Sequence, residues 1–83
     1  MYDYPCVDYV ILKMLDVIPV TEVNFINDLN SLLEKMWNQG PEVKMSVEYW
    51  NYLNVILTKY ISTMPEQIVN KIRIIYNNES SNT

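Results

Sequence analysis

The sequence predicts an all-α fold, a compact single-domain array of about four short amphipathic helices, bundle-like or less regular. Three observations predict it. Apolar residues recur at the three- and four-residue spacing of one helical face in four successive stretches, the prolines and the single glycine fall at the edges of those stretches, and only residues 72–76 are rich enough in β-branched and aromatic side chains to suggest a strand.

The first helix is expected over 5–18. Pro5 suits a first turn, and Val7, Val10, Ile11, Met14, Leu15 and Ile18 line one face. Pro19 ends it, because proline excludes the residue before it from helical dihedrals. Thr21 is placed to cap a second helix over 22–38, with Glu22 in its first turn. Its stripe is Phe25, Ile26, Leu29, Leu32, Leu33, Met36 and Trp37, opposed by Asn24, Asn27, Asp28, Ser31, Glu34 and Lys35. Gly40 followed by Pro41 reads as a helix terminus with glycine in a left-handed conformation. After a loop or single turn at 41–45, Ser46 caps a third helix over 47–62, whose inner face is Tyr49, Trp50, Leu53, Ile56, Leu57, Tyr60 and Ile61. Thr63 and Glu66 have the spacing of a capping box for a fourth helix over 64–77, with Ile68, Val69, Ile72, Ile75 and Tyr76 inward. A strand at 72–76 would have nothing to pair with, so helix is preferred there. Residues 1–77 form the expected domain and 78–83 a flexible polar tail.

Composition narrows the function. With 83 residues, 49% of them apolar and 19% charged, the chain has the makings of one small core and is too apolar for a disordered acidic tail. Cys6 is the only cysteine and there is no histidine, which removes internal disulfides and the usual zinc sites. The start lacks a secretory pattern and the longest aliphatic or aromatic runs, such as Tyr9-Val10-Ile11-Leu12, cover four positions, so a reducing cytosol is expected and no membrane segment. The net charge is −4 and uneven: residues 1–34 hold six acids against Lys13 alone, a net of −5, while residues 35–83 hold five bases against four acids, a net of +1. The acidic half repels nucleic acid and attracts basic protein surfaces.

Catalysis is not expected. Without histidine, proton transfer near neutral pH would need a carboxylate or lysine with a strongly shifted pKa, and the acids lie on solvated helix faces without polar company. Cys6 sits in a first turn that favours a thiolate, yet no base is near in sequence, and small core filler is the better reading. No cofactor or metal is expected, since one glycine cannot build a phosphate loop and the spaced acids of a calcium loop are missing.

Exposed aromatic residues are the remaining signal. A helical plot at about 100° per residue turns Tyr9 and Leu12 outward beside Asp8, Lys13 and Asp16, and turns Tyr52 and Val55 outward beside Glu48 and Lys59. Apolar anchors rimmed by carboxylates resemble a protein interface, so Asp8, Tyr9, Leu12, Asp16, Glu48, Tyr52 and Val55 are the candidate partner-binding residues. Scattered surface apolar residues and contact between symmetry mates of a homodimer are the competing explanations. Lys71, Arg73 and Ile74 on the last helix make too small a basic patch for RNA or DNA. The expected function is non-catalytic: a stoichiometric neutraliser of a basic protein, of the immunity-protein or antitoxin kind, with a nuclease toxin as one such partner. The alternatives are an accessory subunit or small chaperone of an obligate complex, or a homodimeric structural protein.

Overall fold

The computed structural model describes residues 6–80. Four helices run in order, α1 at Val7–Val17, α2 at Val23–Gln39, α3 at Val47–Ile61 and α4 at Glu66–Ser80, with a short 3₁₀ turn at Pro41–Met45 between α2 and α3. The fold is all-α, and the described residues contain no strand; 72–76 is helical. The expectations for Pro5 and for the tail at 81–83 lie outside the described residues.

Helix ends reveal the local chemistry. Cys6 precedes α1 in extended conformation, Asp8 stands in the first turn where a carboxylate favours the helix dipole, and the Ile18 amide closes the far end on the Met14 carbonyl. Thr21 does not cap α2. The Glu22 amide bonds the Pro19 carbonyl at 3.0 Å, so residues 19–22 close a turn that holds Thr21 away from the helix start, and α2 begins without a side-chain cap. Gly40 has φ +115° and ψ 170°, a combination essentially closed to residues with a Cβ. Ser46 does cap α3, its hydroxyl accepting from the Tyr49 amide at 3.4 Å.

The capping box expected at Thr63 is also absent. The Thr63 hydroxyl donates back to the Tyr60 carbonyl at 3.0 Å, and it is the Pro65 carbonyl that takes the first α4 amides, from Ile68 and Val69. At its other end α4 continues three residues past the expected 77, so Asn78 and Glu79 belong to the helix instead of a loose tail. Packing along α1 explains the extension: Glu79 reaches Lys13 at 2.8 Å with its side chain only 13% exposed.

The shape is a slab of 37 × 26 × 19 Å, its thin axis matching two helix layers. Chain-distant α1 and α4 pack most extensively, then α2 against α3 and α1 against α2. One core joins them, made of Val7, Val10, Ile11 and Met14 of α1, Ile18 just after it, Phe25, Leu29, Leu32, Leu33 and Met36 of α2, Tyr49, Trp50, Leu53 and Leu57 of α3, Met64, and Val69 and Ile72 of α4. Trp37, expected in that core, is 56% exposed. It sits at the edge of the α2 stripe, about 80° from the centre at 100° per residue, and meets the polar start of α1 there: its indole N–H donates to Asp8 Oδ2 at 3.3 Å.

Candidate protein-binding surfaces

The outward turns expected on α1 and α3 are present: Tyr9, Leu12, Asp16, Glu48, Tyr52 and Val55 are exposed and Asp8 is half-buried. The seven candidates do not form one patch. Five of them divide between two surfaces on opposite flanks of α2, Asp8 and Leu12 on one and Glu48, Tyr52 and Val55 on the other, while Tyr9 and Asp16 line neither depression; each surface also recruits α2 residues that the sequence did not single out.

The first surface lies between α1 and α2. A depression of about 420 Å³ is lined by Leu12, Asn30, Leu33, Glu34, Trp37 and Asn38. Asp8 is fixed at its edge, taking the Trp37 indole through one oxygen and the Tyr9 amide at 2.8 Å through the other. Asp8 and Leu12 therefore join Trp37 and Glu34 in an apolar cleft with a carboxylate rim. Tyr9 turns toward α4, where the Lys13 ammonium stands 4.6 Å from its ring centre. Lys13 itself is committed to Glu79, whose hydrogen bond raises the lysine pKa above its usual value. Trp37 was hidden from sequence reasoning because an edge-of-stripe residue is core or surface according to the neighbour it meets.

The second surface lies between α2 and α3. Tyr52 donates its hydroxyl to Glu48 at 2.8 Å, a bond that pushes the phenol pKa up, and the Lys35 ammonium sits 4.8 Å from the Tyr52 ring centre. A depression of about 290 Å³, lined by Asp28, Ser31, Leu32, Lys35, Tyr52, Val55 and Ile56, leads away from this cluster. At its far end Asp28 accepts from the Tyr60 hydroxyl at 2.6 Å and from Lys59 at 3.4 Å. The Tyr60 hydrogen bond, helped by the Lys59 charge, holds the Asp28 carboxyl below its usual pKa, and the same bond raises that of Tyr60. Val55, 67% exposed, stands between the two charged ends.

Among the described residues no three of the acids and Cys6 converge as metal ligands would, and no helix is long and apolar enough to cross a membrane. Cys6 is half-buried. Comparisons with family models, with curated proteins and with solved structures find no match for this chain.

Proposed function

We propose that the chain acts by binding, as a cytosolic stoichiometric neutraliser of a basic protein, and that the α1/α2 cleft is where it holds that partner. One observation carries the reading: an exposed tryptophan and leucine, Trp37 and Leu12, share a cleft whose charged neighbours are the carboxylates of Asp8 and Glu34. Tryptophan is enriched among the residues that dominate binding energy, and a carboxylate rim steers a cationic surface toward it. The two lysines nearest in sequence to the α1 and α2 carboxylates do not neutralise that rim, since Lys13 is engaged by Glu79 and Lys35 lies across α2 over Tyr52. An obligate subunit would be favoured by an uncovered Trp50 or Tyr52; of these Trp50 is buried at 5% exposure and Tyr52 is exposed.

The test is capture from extract of the native host with the wild-type chain, Trp37→Ala, and Asp8→Asn combined with Glu34→Gln. The expected partner is basic, binds one to one, loses its own activity when bound, and is held about 30-fold more weakly by Trp37→Ala. The double charge variant is expected to slow association at low salt more than at high salt. A partner that is acidic, that stays active in the complex, or that binds Trp37→Ala as tightly as wild type would sink the proposal.

A further inference from the structure

We infer that the α2/α3 face is a self-association surface, where a second copy of this chain docks with its α3 antiparallel to the first about a two-fold axis. The inference uses the flank of α2 remote from the proposed partner cleft and does not depend on that proposal.

The face is self-complementary in charge. On α3 the outward row is Glu48, Tyr52, Val55 and Lys59, and all four are exposed. The row is symmetric about its middle: Glu48 and Lys59 stand equally far from the midpoint of Tyr52 and Val55, one anionic and the other cationic. Turned end over end, a second α3 brings its Lys59 to Glu48, its Glu48 to Lys59, and its Val55 to Tyr52. The α2 edge of the same face repeats the pattern. Asp28 and Lys35 are equally spaced about Ser31 and Leu32, and all four line the depression beside α3. Contacts within the chain fix which charges share an end: Lys35 lies over Tyr52, which holds Glu48, whereas Asp28 is bridged to Lys59. Each end therefore carries one cation and one anion, and the two-fold operation sets every charge against its opposite. An isologous contact demands this property, because the same patch must suit itself.

The face is also the locally neutral part of an acidic chain, with two cations and two anions, so pairing two copies here avoids the repulsion their −4 charges would otherwise create. The groups are available. The Lys59–Asp28 contact is long, at 3.4 Å, with the lysine side chain 65% exposed, and Tyr52 takes one of the several acceptor positions that Glu48 offers. The apolar centre is Val55 with Tyr52, over a groove floored by Leu32 and Ile56. The 11 residue steps from Glu48 to Lys59 rise only about 16 Å, so the contact falls in the small, weak and reversible class.

The experiment is sedimentation equilibrium of the purified chain over a concentration series, with helicity checked for every variant. The wild type is expected to show a concentration-dependent monomer–dimer mass. Val55→Glu should be a folded monomer. Glu48→Lys and Lys59→Glu, each alone, place like charges at both ends of the α3 contact and should weaken the dimer at least about tenfold. Mixed one to one, these two variants restore opposite charges at both ends, and they should form a heterodimer although neither dimerises alone. A wild type that stays monomeric at its highest soluble concentration overturns the inference. So does a dimer that survives Val55→Glu but is lost in Trp37→Glu, which would put the contact on the other flank, and so does a mixture that fails to pair.

Discussion

The two tryptophans show how burial sets the weight of a residue. Trp50 is 5% exposed and meets Tyr76 edge-on with ring centres 5.5 Å apart, whereas Trp37 is more than half exposed and makes one 3.3 Å bond to Asp8. Trp50→Ala is expected to cost about 3–5 kcal/mol of unfolding free energy, and Trp37→Ala well under about 1 kcal/mol, as read from denaturant midpoints. Tyr49 is 1% exposed, and its hydroxyl has no hydrogen-bond partner among the described residues. Removing an unpaired buried hydroxyl relieves a desolvation cost, so Tyr49→Phe should be neutral or more stable by up to about 1 kcal/mol. Asp28 gives stability a pH signature. Because folding lowers its pKa, the stabilisation it brings is present above the ordinary carboxylate range and is lost as pH falls through the folded value. Tyr60 has the opposite sign: its raised pKa makes its contribution complete below about pH 10 and lost on further alkalinisation. Wild type should therefore lose more stability than Asp28→Asn between pH 5 and pH 2, measured by thermal melts; equal losses would remove this assignment.

At the scale of elements, what matters is how each helix starts and stops. Gly40 is the one described residue with positive φ, and a Cβ built there would meet no atom within 4 Å. The constraint is thus in the dihedrals alone. Gly40→Ala is expected to cost about 1–3 kcal/mol, and Gly40→Ser about as much, because side-chain size has nothing to strike. A cost that grew steeply with side-chain size would show that space, not backbone conformation, is limiting. The uncapped start of α2 and the proline-led start of α4 contrast with Ser46 at α3, whose hydroxyl takes the Tyr49 amide while its own amide closes the preceding 3₁₀ turn on the Val43 carbonyl at 2.9 Å.

For the whole molecule, the decisive contact joins the two ends of the described chain. α4 lies along α1, and it supplies Val69 and Ile72 to the core and Glu79 to Lys13. A chain ending at Asn77 keeps both core residues but loses Glu79 and the last turn of α4; it should fold with a lower melting temperature. Were residues after 77 a loose tail, that truncation would leave melting unchanged, so calorimetry of the two lengths decides between them. The slab form also explains why two distinct surfaces coexist: α2 is flanked on both sides, and each flank exposes its own groove.

Local order along the chain was enough to set the number and type of the helices, the breaks at Pro19 and Gly40, the Ser46 cap, and the outward turn of Tyr9, Leu12, Tyr52 and Val55. These follow from the period of 3.6 residues and from chemistry within four positions along the chain, both fully written in local order. Packing between distant segments decided instead that Trp37 leaves the core, that the exposed residues of α1 and α3 belong to separate surfaces, and that α4 reaches Ser80. Each of these depends on which residue a helix edge meets from far along the chain. Spacing says which way a side chain points from its own helix, but not what it finds there.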